Sequence, residues 1–146
     1  MQWLKFVLIS LSVSACAPAR TPSGTAHVDF AFESYIEMYK MDKKRFLGIE
    51  DTRQITIQFQ SLNQDGYEGV CYYSSPIRLI QIDPMSWLFG SQDDKIVLFY
   101  NEMGHCDLNL HGHTDGQTIM NPYGITGRQY AADREGFLHK LFLEGR

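Results

Sequence analysis

One segment of the chain carries the signals of a complete helix, and it constrains the fold more than any other. Ser91 is followed three residues later by Asp94, the arrangement of a capping box with acids in the first turn. The letters KIVLFYNEMGHCDL come next. Asn109 and Gly112 then follow, and both residue types adopt the left-handed conformation found at helix ends. We therefore predict a helix that begins after Ser91 and ends close to Asn109.

The other elements are predicted from the spacing of apolar residues. Residues 28–47 place them at helical intervals, and residues 55–62 (ITIQFQSL) alternate as in a half-buried strand. Residues 69–73 (GVCYY) and 77–83 (IRLIQID) read as two more short strands, the second of which is stopped by the proline that follows it. Residues 133–143 have apolar side chains on one helical face. The predicted order is helix, three strands, helix, loop and helix, which describes a small α+β domain.

The composition fits one domain and argues against a nucleic-acid partner. The chain has 146 residues, of which 44% are apolar, and this supports a single hydrophobic core. Its net charge is −4, and its basic residues cluster only at Lys43-Lys44-Arg45. That triplet lies late in the first predicted helix, where cations suit the helix dipole. We interpret it as a solvated helix end.

The N-terminal residues are predicted to export and anchor the chain rather than to fold with it. Residues 1–15 contain an early lysine, an apolar run and small residues, which is typical of a secretory signal peptide too short to span a membrane. The letters VSAC resemble the lipobox of bacterial lipoproteins, which implies a lipidated Cys16 as membrane anchor; an ordinary soluble secreted protein is the alternative. Ala17, in place of aspartate, implies the outer membrane, facing the periplasm or the surface. Residues 16–27 then form a lipidated, flexible tether, and the domain covers residues 28–146.

Lipidation of Cys16 would leave two further cysteines, Cys71 and Cys106. The predicted compartment is oxidising, which allows a disulfide between them, and two buried free thiols are the alternative. A disulfide at Cys106 would stiffen the helix that carries the neighbouring His105.

The helix that begins after Ser91 carries residue types that suit metal-assisted hydrolysis. Asn101 and His105 are four residues apart and share a helix face, with Glu102 beside them. In a zinc hydrolase this spacing lets two side chains bind one metal, while the adjacent glutamate takes a proton from the metal-bound water. A third ligand must come from elsewhere. His111 and His113 follow after a stretch that can turn.

Residues 101–123 resemble the metzincin clan of zinc peptidases, whose pattern is H-E-x-x-H-x-x-G-x-x-H followed by a methionine-containing turn, the Met-turn. More narrowly, the letters GVCYY, EMGHCDLN and TIMNPY are similar to small bacterial lipoproteins with a metallopeptidase-like motif, many of which read H-E-x-G-H-C. The resemblance implies a minimal zincin-like or metzincin-like domain, with a small mixed sheet, an N-terminal helix, an active-site helix, a Met-turn and a C-terminal helix. It also implies zinc as cofactor and a peptide or protein as substrate or ligand.

The roles of single residues follow from that resemblance. It implies that Glu102 is the general base, that His105 and His111 bind zinc, and that Met120 packs beneath the metal in the Met-turn without binding it. Cys106 matches the cysteine that follows the second zinc histidine in the narrower group.

Two departures from the clan pattern bear on the metal ligands. Asn101 occupies the slot of the first zinc histidine, and an amide oxygen is a weaker zinc ligand than an imidazole nitrogen. Leu108 stands where the clan has its turn glycine, although Asn109 could make the turn one residue later. That shift leaves the third ligand open between His111 and His113.

Three hypotheses about the metal follow. Asn101 binds zinc or its water and a weakened enzyme remains; or His105, His111 and His113 supply three imidazoles with Asn101 behind them; or the site is empty and the fold acts as a binding module. The expected function is an envelope-anchored zinc-dependent metallopeptidase, with a catalytically inactive peptide- or protein-binding lipoprotein as the alternative. In either case we expect residues 77–82 (IRLIQI) to be the edge strand beside the active-site helix, to which an extended peptide could add.

Overall fold

Three strands and five α-helices make up the described part of the chain, which confirms the predicted α+β class. The computed structural model describes residues 27–62, 66–73, 78–112, 116–121 and 124–144. The predicted signal peptide and lipidation site lie outside these ranges, so the membrane anchor stays a prediction. In chain order the elements are a 3₁₀ turn (Phe30–Phe32), α1 (Glu33–Leu47), β1 (Ile55–Phe59), β2 (Gly69–Tyr72), β3 (Arg78–Ile82), α2 (Pro84–Phe89), α3 (Gln92–Cys106), α4 (Gly127–Ala132), α5 (Arg134–His139) and a π-helical turn (Lys140–Glu144).

The three strands form one mixed sheet in the order β1-β3-β2. β1 runs parallel to β3, with Ile57 opposite Ile80, and β2 runs antiparallel to β3, with Cys71 opposite Ile80. The prediction that residues 77–82 form the edge strand is therefore wrong, because β3 is paired on both sides. The edge strand next to α3 is β2. Strand order depends on pairings between distant residues. That β3 directly precedes the helices in sequence therefore did not make it the edge strand.

Helices cover one face of the sheet and build the hydrophobic core against it. Ile57, Ile80 and Ile82 are buried on this face, whereas the alternating Thr56 and Gln58 are partly exposed on the other. Helix α3 contacts the sheet as well as α1 and α4, so it occupies the centre of the domain. The fully buried aromatic side chains of the core are Phe32, Tyr39, Phe99, Tyr100, Tyr130 and Phe142.

The N-terminal helix begins later than predicted, because its first residues join the sheet. Val28 forms a parallel bridge with Ile57 of β1, and the Asp29 N–H donates to the Ile57 carbonyl at 3.0 Å. The chain then makes the 3₁₀ turn and enters α1. Gly48 ends this helix with a left-handed φ of 69°. The result is a helix anchored to the sheet at its beginning.

The signals that predicted the central helix are confirmed at both of its ends. The Ser91 side chain accepts from the Asp94 N–H, and the Asp94 carboxylate accepts from the Ser91 N–H, which completes the capping box. After the last turn, Asn109 adopts a left-handed φ of 63°. The Leu110 N–H then donates to the Gly104 carbonyl at 3.0 Å, so the chain reverses direction immediately after α3.

Two short helices, α2 and α4, have no counterpart in the predicted order. Asp83 accepts hydrogen bonds from two backbone N–H groups of α2 and Pro84 occupies its first position, so the residues that stop β3 also start a helix. Thr126 caps α4 with a capping box of its own. The predicted last helix at residues 133–143 is divided between α5 and the π-helical turn. None of the helices in the described ranges is long and apolar enough to cross a membrane.

The interpretation of Lys43-Lys44-Arg45 as a solvated helix end is wrong for its first residue. Lys43 is only 6% exposed, and its Nζ lies 2.6 Å from a carboxylate oxygen of Asp107, whose side chain is buried. The Tyr39 hydroxyl donates to the same carboxylate at 3.0 Å; burial, and then this carboxylate, raise the pKa of the tyrosine. Tyr39 and Lys43 are one helical turn apart, so both reach the residue that follows α3. The cluster ties α1 to the C-terminal end of α3.

Replacing Lys43 by alanine should lower the free energy of unfolding by about 3 kcal/mol, because the Asp107 carboxylate would stay buried without its cation. Chemical denaturation at neutral pH measures this loss. Lys44→Ala is the matched control, since Lys44 pairs with Glu50 on the exposed surface, and its loss should stay below about 1 kcal/mol. Equal losses for the two variants would contradict a structural role for the buried pair.

Candidate active site

A groove with a volume of about 1300 Å³ runs along one side of α3. Strand β2 and the residues that flank it form one wall, and residues 119, 121 and 124–126 contribute to the other. Asn101, Glu102 and His105 all line this groove. The structure therefore brings together the three helix residues that the sequence predicted for the site.

Glu102 is the buried carboxylic acid of the groove. It is 4% exposed, and no group in the described residues donates a hydrogen bond to its carboxyl. Burial raises its pKa to about 8 from the ordinary 4.5. A Cβ at Gly69 would lie 2.8 Å from Oε1 of Glu102, so glycine is what lets β2 approach the carboxyl this closely. An acid with a pKa near neutrality is suited to accept and return a proton.

His105 lies beside Glu102 with its ring held in one orientation. Its Nδ1 lies 2.7 Å from the carbonyl oxygen of Leu110. Because a carbonyl only accepts, the neutral ring carries its proton on Nδ1 and its lone pair on Nε2. Metal-binding histidines are commonly oriented by such a bond to a backbone carbonyl. The turn at Asn109 is what brings Leu110 back to the helix.

Asn101, in the slot of the first zinc histidine, is bonded to the turn that carries Met120. Its Nδ2 donates to the carbonyl oxygen of Ile119 at 2.8 Å. Only the amide nitrogen can make this bond, so the orientation of the side chain is set and Oδ1 is its other polar atom. Asn101 therefore fastens a neighbouring segment to α3, a structural role that the motif alone does not indicate.

Met120 packs against α3 at the helical turn between Asn101 and His105. It is 3% exposed, and a Cβ at Gly104 would lie 2.5 Å from its sulfur. Gly104 thus leaves the space that the methionine sulfur fills, and any larger residue would force the Met120 side chain to shift. The turn around Met120 is therefore held on α3 by two contacts, the packing of Met120 at Gly104 and the Asn101–Ile119 hydrogen bond.

His111 is exposed and lines a second, smaller cleft; it is not among the residues that line the groove, although it lies next to two that are, Tyr73 and Gly112. Its Nε2 accepts a hydrogen bond from the Asn109 side-chain amide at 2.7 Å, and its ring packs on Tyr73 with centroids 4.8 Å apart. These contacts hold the imidazole at the rim of the groove, against Tyr73. The structure does not bring His111 together with Glu102 and His105 as a metal-binding group.

His113 lies outside the described residues, so the choice of third ligand between His111 and His113 stays open. Within the described ranges, no group of three or more His, Cys, Asp or Glu side chains could hold a metal ion. This part of the site supplies one oriented imidazole from His105, one amide oxygen from Asn101 and the carboxyl of Glu102. A complete zinc site needs a further donor from beyond these ranges.

A disulfide joins Cys71 of β2 to Cys106 of α3, with the two Cα atoms 5.7 Å apart. This is the pairing that the sequence allowed. Cys106 directly follows His105, and Cys71 is two residues from Gly69, the residue against Glu102. The bond therefore holds the edge strand and the helix together at the point where the candidate site residues lie.

Two contributors to the site, Gly69 and Leu110, were missed in the sequence. A glycine inside a strand pattern often marks the close approach of another group, and the letters GVCYY contained that signal. The Leu110 carbonyl has no sequence signal, because every residue type carries a carbonyl. Its position follows from where the chain turns after α3.

The chain matches no protein-family model, no curated protein and no solved structure. The resemblance to the metzincin clan therefore rests on the motif between residues 101 and 123.

Gly104→Ala should destabilise the protein by about 1 to 3 kcal/mol, because the new methyl group overlaps the sulfur of Met120. The same substitution in a Met120→Ala background removes the overlap and should be neutral or stabilising by up to about 1 kcal/mol, the helix preference for alanine. Chemical denaturation of the four proteins measures the coupling. An equal effect of Gly104→Ala in both backgrounds would show that the two residues are not packed together.

The ionisation of Glu102 should make the metal-free protein less stable as the pH rises. The folded pKa of about 8 lies above the ordinary 4.5, so between these values the folded chain keeps a proton that the unfolded chain releases. In chelator-treated protein, raising the pH from about 5 to about 8 should lower the free energy of unfolding by a few kcal/mol more in the native sequence than in Glu102→Gln. Denaturation curves across this range check it, and parallel pH profiles would be the contrary result.

Proposed function

We propose that this chain is an envelope-anchored, zinc-dependent peptidase of metzincin-like fold, with Glu102 as general base and His105 as a zinc ligand. The observation that carries the proposal is the Glu102 carboxyl, which is buried in a groove beside an oriented imidazole and has no hydrogen-bond donor among the described residues. A buried carboxylate is unfavourable unless a positive charge or a donor supports it. A cation bound at His105 would provide that charge.

The described residues offer some of the donor atoms that a zinc site needs. His105 would present Nε2, because its Nδ1 proton is held by the Leu110 carbonyl. Asn101 could offer Oδ1 as a second donor to the metal, with its Nδ2 still bonded to the Ile119 carbonyl. His113 is the remaining donor that the sequence predicts. When bound, zinc supplies Lewis-acid polarisation of a substrate carbonyl and a water of lowered pKa.

The exposed edge of β2 supports an extended polypeptide as substrate. The Asp83 N–H donates to the Glu68 carbonyl at 2.8 Å, which marks that pair as hydrogen-bonded across the β2–β3 ladder. Hydrogen-bonded pairs alternate along an antiparallel ladder, so the N–H and C=O groups of Gly69 and Cys71 point away from β3. An extended peptide could pair with these groups by strand addition. It would then lie next to Glu102.

The residues of the chain have separate tasks in this proposal. β2 would hold and align the peptide backbone, and Glu102 would take a proton from the attacking water and return it to the leaving amine. A carboxyl pKa near neutrality suits both transfers, because the same group must act first as base and then as acid. The disulfide would keep the aligned peptide and the acid in register.

A catalytically inactive, peptide-binding lipoprotein is the second candidate. The observations that favour it are the placement of His111 outside the groove and the hydrogen bond that commits the Asn101 amide to Ile119. Both weaken the zinc site, and neither affects the outward-facing groups of β2. In this case Glu102 would shape the groove without reacting.

Metal analysis of the purified full-length lipoprotein is the experiment that tests the peptidase proposal. We expect one zinc per chain at neutral pH, and loss of that zinc in His105→Ala. Glu102→Gln should keep the zinc and lower peptide hydrolysis by about 10² to 10⁴-fold, the usual contribution of a general base.

The two candidates give different results with Asn101→His. If the native chain binds no zinc while Asn101→His binds it, and peptide affinity is the same in Glu102→Gln, the inactive binding protein is correct. Zinc in the native chain together with activity that depends on Glu102 would exclude it.

A further inference from the structure

The outer face of α2 is apolar although it faces solvent. Met85, Leu88 and Phe89 are 47%, 67% and 77% exposed, while Trp87 is buried in the core. Met85 and Phe89 are four residues apart and share the side of the helix opposite Trp87, and Leu88 lies beside them. A surface helix normally turns polar residues outward. A contiguous apolar face of this kind indicates a site that contacts another apolar phase.

Phe30, on the 3₁₀ turn, is a further exposed apolar side chain. It is 86% exposed, and Phe32 on the same turn packs on Trp87 of α2 with ring centroids 4.8 Å apart. The 3₁₀ turn and α2 are therefore direct neighbours. We call Phe30, Met85, Leu88 and Phe89 together the apolar end of the domain.

The chain enters the domain at this same end. Val28 and Asp29 pair with β1 immediately before the 3₁₀ turn. Only residues 17–26 separate His27 from Cys16, the predicted lipidation site, and ten residues span at most about 36 Å. A domain of about 120 residues has a radius of gyration of roughly 14 Å. A tether this short keeps the entry point within about one domain diameter of the bilayer.

We infer that the apolar end docks on the lipid bilayer to which the chain is anchored, an inference that rests on the anchor of the proposed function. Neither residues 27–33 nor residues 84–90 contain a lysine or arginine; Asp29 and Glu33 lie in the first range, and the Nζ of Lys95 lies 5.8 Å from the ring centroid of Trp87. These charges form no basic patch, so the proposed attraction is apolar, and zwitterionic lipids suffice. The tether raises the effective concentration of the bilayer at this surface, so a small patch is enough.

Docking would also place the groove near the membrane. Phe89 belongs to the apolar end and lines the groove as well. The mouth of the groove beside α2 would then lie at the lipid surface. The polypeptides that reach it most readily are membrane-attached or membrane-proximal segments.

Quenching of an introduced tryptophan by brominated lipids tests the docking. The lipidated full-length chain is placed in phosphatidylcholine vesicles with brominated acyl chains, as Phe89→Trp and separately as Leu88→Trp. Met41→Trp is the matched control, because Met41 is 66% exposed but lies on α1 about 12 Å beyond its start. Side chains at an interfacial depth should be quenched about twofold more than the control.

Flotation of the vesicles tests the lipid anchor separately from the docking of the apolar end. If the chain floats with the vesicles and either introduced tryptophan at residue 88 or 89 is quenched more than Met41→Trp, docking is supported. If it floats but all three variants are quenched equally, the anchor is correct and the docking is wrong. If it does not float, the anchor fails and the docking fails with it. Burial of the introduced tryptophan that depends on protein concentration without lipid would assign the surface to a second copy of the chain instead.

Discussion

The approach of two other segments to α3 at glycine positions is the constraint on which the site depends. Gly104 lets the sulfur of Met120 fill space next to the helix, and Gly69 lets the edge strand touch the carboxyl of Glu102. A side chain at either position would force the Glu102 or the Met120 side chain to move. The Cys71–Cys106 disulfide then fixes the strand to the helix. The groove is therefore the space left between α3 and segments that pack closely on its side chains.

Features that depend on neighbouring residues were predicted from the sequence, whereas features that depend on pairing between distant residues were not. The capping box at Ser91 and the left-handed turn at Asn109 are both confirmed, because a cap and a turn depend on a few adjacent residues. The central position of β3 and the helix α2 were not predicted. Strand order depends on contacts between distant residues, and a six-residue helix made mostly of apolar letters carries too little periodicity to be recognised.

The candidate site shows the same division. Glu102 and His105 share a helix face because their spacing requires it, and so both could be placed from the sequence. The bond from Asn101 to Ile119 and the outward placement of His111 depend on how the chain returns after α3. The motif alone indicates Asn101 only as a weak zinc ligand or as a residue behind three histidine ligands. In the structure Asn101 donates a hydrogen bond to the Ile119 carbonyl, and this bond joins α3 to the segment that carries Met120 along one side of the groove.

The central claim is that a cation at His105 supports the buried carboxyl of Glu102 in this groove. Measuring the pKa of Glu102 with and without zinc tests it most directly. Carboxyl-carbon NMR can follow its titration in chelator and then with one equivalent of zinc, with Glu102→Gln identifying the signal. We expect a midpoint near 8 without metal and a midpoint lower by more than about one pH unit with zinc, because a nearby cation favours the charged carboxylate. A midpoint near 4.5 in the metal-free protein, or a midpoint that zinc leaves unchanged, would contradict the claim.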